Sequence, residues 1–133
     1  MMPSAVPQSG AKLLNVLIAD DNFDAAESLA VWLSIHGHEV RVVHDGDEAI
    51  AAFDAEPAEV AILDIGMPGL SGYDVARRMR RGSPDRPLTL IAVTGRGEDS
   101  DRARSAAAGF DHHFTKPVEP EHLTELLGSA HSK

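Results

Sequence analysis

A chain of 133 residues, 43% hydrophobic and 25% charged, has room for one domain with a real core and too few residues for two. Its net charge of −9 speaks against a nucleic-acid backbone as partner, since such partners want clustered Lys and Arg. The lack of cysteine excludes disulfides and thiolate metal sites, and no apolar run approaches the roughly 18 residues of a membrane span.

Met1 to Lys12 is rich in Pro, Ser, Gly and Ala without periodicity, and a disordered tail is expected there. It lacks the apolar stretch of a secretory signal, so the expected location is cytoplasmic. Leu13 to Asp20 is an apolar run ending in acid, which predicts a first buried strand. From Asn22 or Asp24 a helix pattern runs to Ile35, with Ala26, Leu29, Ala30 and Leu33 as its inner stripe and Gly37 as its stop. Glu39 to His44 alternates Val40 and Val42 with polar neighbours, which suits an edge strand. Asp47 to Ala55 follows as a second helix with Ala49, Ile50 and Phe53 inward, closed by Pro57.

Val60 to Leu63 is a continuous apolar run that meets a lone carboxylate, Asp64, and then a Gly/Pro-rich turn. That pattern predicts a strand buried on both faces, with Asp64 where it leaves the sheet. A third helix spans Gly72 to Arg81, and its Arg77, Arg78, Arg80 and Arg81 read as a solvated face. Leu88 to Val93 is a fourth strand that stops at Thr94, followed by a helix from about Glu98 to Ala108. Phe110 to Thr115 is a fifth strand ending at Lys116-Pro117, and Pro120 opens a last helix with Leu123, Leu126 and Leu127 as its stripe. The expected domain is 13–129, with a short tail at 130–133. Five alternating strands and helices with short connections imply a parallel sheet covered on both faces.

In a parallel sheet all carboxyl ends lie on one rim, where open α/β sheets bind ligands. That rim gathers Asp20 and Asp21, Asp64, Thr94 and Lys116. Three crowded carboxylates repel unless a cation joins them, and a hard divalent ion with oxygen ligands is the natural partner. The formal charges of three carboxylates, Mg²⁺ and Lys116 cancel. Such a site suits phosphoryl transfer onto a carboxylate.

The segments Leu17-Ile18-Ala19-Asp20-Asp21-Asn22, Leu63-Asp64-Ile65-Gly66-Met67-Pro68-Gly69-Leu70-Ser71-Gly72, Val93-Thr94-Gly95 and Thr115-Lys116-Pro117 resemble the receiver domain of two-component response regulators. The resemblance implies a flavodoxin-like, doubly wound five-stranded parallel sheet of order 2-1-3-4-5 with five helices. It makes Asp64 the phosphoacceptor and Asp21 a direct Mg²⁺ ligand, with Asp20 holding the ion partly through water and the Gly66 carbonyl as a further ligand. Thr94 would move to the phosphoryl group, Lys116 would pair with it, and the bond to Pro117 would be cis. The implied donor is a phosphohistidine on a histidine kinase or histidine phosphotransfer protein. The implied output surface is the fourth helix, fifth strand and fifth helix. Three positions depart from the family's habit or tune it. His113 stands where Tyr or Phe is frequent, while Gly66 and Arg96 occupy positions that shape water access to the phosphoryl group.

Two rival readings use the same residues. One is a degenerate receiver that only docks proteins; the other is a Mg²⁺-dependent aspartyl-phosphate phosphohydrolase of the haloacid dehalogenase type. The second expects Asp-x-Asp after the first strand, whereas Asp20 and Asp21 are adjacent. The receiver reading is that of a regulatory phosphoacceptor rather than an enzyme. With the chain ending soon after the last helix, no effector domain is expected. A free-standing receiver and a piece of a hybrid kinase both fit. Adjacent His112 and His113 would face opposite sides of a strand and cannot chelate together.

Overall fold

In the computed structural model, residues 13–95 and 102–131 are described, with no side-chain account of 102 or 129–131. The tail expected over Met1 to Lys12, Arg96 and the start expected for the fourth helix lie outside the described residues. The chain alternates β1 (Asn15–Ala19), α1 (Phe23–Ile35), β2 (Glu39–Val43), α2 (Gly46–Ala55), β3 (Val60–Asp64), α3 (Gly72–Gly82), β4 (Thr89–Thr94), α4 (Arg102–Ala108), β5 (His112–Thr115) and α5 (Pro120–His131). All strand pairs are parallel, in the order β2-β1-β3-β4-β5. The expected doubly wound topology is therefore present. α5 runs through His131, past the start expected for a tail at residue 130.

Strand parity sorts the core into two layers. Leu17, Ala19, Ala61, Leu63, Leu90 and Ala92 pack with Ala49 and Phe53 of α2, Val75, Ala76 and Met79 of α3, and Ala108 of α4. The alternate residues Val16, Ile18, Val60, Ile62, Ile91 and Val93 pack with Ala26, Leu29 and Leu33 of α1 and with Leu123 and Leu127 of α5. Because β1, β3 and β4 are covered on both faces, they read as unbroken apolar runs. β2 has helices on both faces too, but it lies at the sheet edge and stays half-exposed.

The helix ends follow local chemistry. Asn22, Asp45 and Ser71 sit in extended backbone and accept from Ala25 N (3.0 Å), Glu48 N (2.8 Å) and Asp74 N (3.3 Å). α1 closes as the Gly37 N–H donates to Ser34 O (2.9 Å) and the His38 N–H donates to Leu33 O (3.1 Å). Gly37 at φ 97° supplies the left-handed residue this closure needs.

The four arginines of α3 do not share the one solvated face expected of them. Arg77, Arg78 and Arg81 are exposed, but Arg80 is not part of a solvated face. Its guanidinium donates to Leu88 O (2.7 Å), to Gly109 O (3.0 and 2.7 Å) and to Asp111 Oδ2 (2.6 Å). The same Asp111 oxygen accepts from Leu90 N at 2.8 Å, so one ion pair ties α3 to the entry of β4 and β5. Helical periodicity could not show this, because the partners lie beyond the helix.

Candidate functional site

The rim forms where β1 and β3, neighbours in the sheet, send their loops to opposite sides. Asp20 follows the last residue of β1, and Asp64 ends β3. Both share the parity of Ile18 and Ile62, so they stand on the α1/α5 face. Lys116, which shares the parity of Phe114, reaches the same place from the end of β5. Its ammonium donates to Asp64 Oδ2 at 3.2 Å and to Asp20 Oδ1 at 3.4 Å. Residues 52 and 96 positions away in sequence thus meet at one nitrogen.

Asp20 and Asp64 are buried, with side chains 11% and 7% exposed. Asp64 Oδ1 accepts the Gly66 N–H at 3.0 Å, and Asp20 Oδ1 accepts the Asn22 N–H at 2.9 Å. Each carboxylate is thereby fixed by its own following turn. Exposed Asp21 completes a group in which one oxygen from each of Asp20, Asp21 and Asp64 lies within 4.8 Å of the others. Burial by itself pushes the Lys116 ammonium down, but the Asp64 and Asp20 charges and hydrogen bonds outweigh it and hold its pKa above 10.5.

The donor set fits a hard divalent cation. It offers three carboxylates and no nitrogen or sulfur ligand, and one cation against three anions leaves an excess of two negative charges.

Thr94 behaves differently from the other rim residues. It ends β4 on the opposite face, with the parity of Ala92, and is 0% exposed. Its hydroxyl lies 3.0 Å from His113 Nε2 rather than on the acid cluster. The Lys116–Pro117 bond is cis. His112 and His113 fall on successive, hence opposite-facing, positions of β5.

Three contributors were not singled out by the sequence. His44, just past β2, places Nδ1 3.0 Å from the Asp20 carbonyl and stacks on Phe23 with ring centroids 3.6 Å apart. Gly72 sits under the acceptor: a Cβ there would lie 2.9 Å from the Asp64 carbonyl oxygen and from Ile65 Cα. Ser105, 2% exposed, has its hydroxyl 3.2 Å from His113 Nδ1. A serine spaced three residues before Ala108 on an Ala-rich helix was the only cue to it.

Beside the acids a cavity of about 520 Å³ opens between α1 and α5, lined by Ala25, Leu29, Val93 and Val118 among others. Among the described residues no helix is long and apolar enough to cross a membrane.

The model of the response regulator receiver domain family matches residues 16–128. Sensory transduction protein RegX3 of Mycobacterium tuberculosis is 36% identical over 111 residues, 84% of this chain and 48% of that protein. Protein PilH of Pseudomonas aeruginosa is 28% identical over 117 residues, 88% of this chain and 97% of that protein. The crystal structure of a CheY-like receiver domain protein from Methanospirillum hungatei superposes with a TM-score of 0.82 at 28% identity, covering 90% of this chain and 94% of that one. The chain spans about half the length of the RegX3 relatives it matches. A match over most of the chain, on the expected sheet order and with the acid cluster at the β1/β3 switch, settles its kinship: it belongs to the receiver domains of two-component response regulators.

Proposed function

We propose that Asp64 accepts a phosphoryl group from a phosphohistidine of a histidine kinase or histidine phosphotransfer protein, and that the domain, taken as residues 13–129, signals through α4, β5 and α5. The observation that carries this reading is the convergence of the Asp20, Asp21 and Asp64 oxygens within 4.8 Å, with the Lys116 ammonium bridging two of them.

The Gly66 N–H and the Lys116 ammonium hold the two Asp64 oxygens from different sides, which keeps the carboxylate in one orientation for attack. A carboxylate oxygen of Asp64 forms the new bond to phosphorus, the phosphorus–nitrogen bond of the donor breaks, and the donor imidazole keeps the electron pair. The product is a mixed anhydride on Asp64. Lys116 stays charged and follows the phosphoryl oxygens, and Thr94 turns its hydroxyl toward them. Asp20, Asp21, Asp64 and the Gly66 carbonyl would hold Mg²⁺, which when bound supplies positive charge to the incoming phosphoryl oxygens. The apolar cleft between α1 and α5 gives the donor's surroundings a place to rest. Arg96, Gly66 and His113 modulate the lifetime of the adduct. The setting is cytoplasmic, and the role is that of a regulatory domain that assists its own phosphorylation and dephosphorylation.

Incubation with acetyl phosphate and Mg²⁺ followed by intact mass tests the reading. Wild type gains the mass of one phosphoryl group; Asp64→Asn and wild type in EDTA gain none. An unmodified wild type, with a donor shown active on another receiver, would return the chain to a purely docking role. Neither the phosphohydrolase nor the docking reading is favoured by the family match.

A further inference from the structure

Two buried hydroxyls face the two nitrogens of one imidazole. His113 Nε2 lies 3.0 Å from Thr94 Oγ1, and Nδ1 lies 3.2 Å from Ser105 Oγ. Thr94 is 0% and Ser105 2% exposed, whereas His113 is half-buried. The register explains the encounter: Ala92 pairs with His113 and Thr94 with Thr115, so Thr94 and His113 stand diagonally on the face that α4 covers.

A neutral imidazole has one N–H and one bare nitrogen. It can therefore serve two hydroxyls only as a directed chain, running either from Thr94 to Ser105 or from Ser105 to Thr94. Thr94 is closed off from water, and a buried hydroxyl proton is nearly always hydrogen-bonded. The acceptor beside it is Nε2. Ser105 is equally buried, so burial alone leaves the direction to the ring tautomer; in the resting direction taken for the relay, Thr94 donates to Nε2, Nδ1 carries the ring proton, and the Nδ1–H donates to Ser105.

The next step rests on the reading of Asp64 as phosphoacceptor. Phosphoryl oxygens on Asp64 can only accept, and Thr94 has one proton to give. It cannot donate to the phosphoryl group and to Nε2 together. We propose that His113 is a positioning residue whose tautomer reverses on phosphorylation, so that the Thr94–His113–Ser105 chain changes direction and carries the state of Asp64 to α4. In the reversed chain Ser105 donates to Nδ1, the Nε2–H donates to Thr94 Oγ1, and Thr94 donates to a phosphoryl oxygen. The ring loses its Nδ1 proton to water and takes one at Nε2 from water. No net proton is gained or lost. Ser105, on α4, changes from acceptor to donor. A phenylalanine at 113 could make neither bond, and a tyrosine has a single hydroxyl where the imidazole has two nitrogens.

The test uses the full chain labelled with ¹⁵N-histidine, with imidazole nitrogen resonances recorded in Mg²⁺ with and without beryllofluoride as the phosphoryl stand-in. His113 is assigned by the signals lost in His113→Phe. The expected result is a neutral Nδ1–H ring at rest and a neutral Nε2–H ring with beryllofluoride. Ser105→Ala is expected to keep the exchange at Nε2 while the amides of α4 cease to respond. An Nε2–H ring at rest overturns the relay whatever Asp64 does. So does an Nδ1–H ring that persists when beryllofluoride has shifted the resonances around Asp64, and that outcome leaves the phosphoacceptor reading intact. Failure of wild type to take either a phosphoryl group or beryllofluoride sinks the phosphoacceptor reading, and the reversal with it.

Discussion

The Lys116 nitrogen lies 3.2 Å from one buried carboxylate and 3.4 Å from another, and this pairing decides what else the acids can hold. The ammonium and a divalent cation compete for the same negative charge. Lys116→Ala is therefore expected to tighten Mg²⁺ binding roughly tenfold, because a neighbouring positive charge is removed at partly screened range. Calorimetric titration of both proteins with Mg²⁺ checks this, and equal affinities would show that the ammonium does not compete. A second residue makes stability sensitive to acid. His38 Nδ1 accepts the Leu14 N–H at 3.1 Å, which only a ring unprotonated at Nδ1 can do. Burial, and then the charge of His36, push its pKa below 6.5. The unfolded chain thus takes up this proton at higher pH than the folded one, so stability falls as pH drops below 6.5. Urea unfolding at about pH 7.5 and about pH 5.5 is expected to show that loss in wild type and a smaller one in His38→Gln.

Among the elements, α3 shows how a helix can be tied down by one long side chain. Arg80 donates to two main-chain carbonyls and one carboxylate on the approaches to β4 and β5. Arg80→Ala leaves those carbonyls without their donor and is expected to cost about 2–3 kcal/mol of unfolding free energy. Arg80→Lys recovers little of it, since an ammonium cannot span the same fork of acceptors. Denaturant titration of the two variants separates lost charge from lost geometry. The turn before α3 is equally constrained at its other end, where Gly72 lets the backbone pass directly beneath Asp64. The acceptor's position is thus set by the loop as well as by its strand.

At the scale of the molecule, the central strands serve two cores at once. Leu63 is fully buried in one layer while its neighbours Ile62 and Asp64 face the other. Leu63→Ala is expected to lower unfolding free energy by about 2–5 kcal/mol through the void it leaves. Intact-mass phosphorylation of the folded fraction should persist, because no group touching the phosphoryl site is removed. Full loss of uptake in protein that is still folded would place Leu63 in the site's positioning.

The residue patterns alone determined the element order, a parallel sheet and the acids of the rim, while the strand order 2-1-3-4-5 was what the family resemblance implied. Buried strands, turns and helix stops are written in short-range patterns of apolar, Gly and Pro residues, and the parallel run of the strands brings their carboxyl ends to one edge. Asp20, Asp21, Asp64 and Lys116 were legible because each lies at the end of a strand or within two residues of it. What the tertiary structure decided lies between elements. Arg80 looked solvated, Ser105 drew no notice on its Ala-rich helix, and Thr94 looked like one more member of the rim. Their partners sit 8 to 31 residues away on other elements, and the hydrogen bonds between them exist only once those elements have packed.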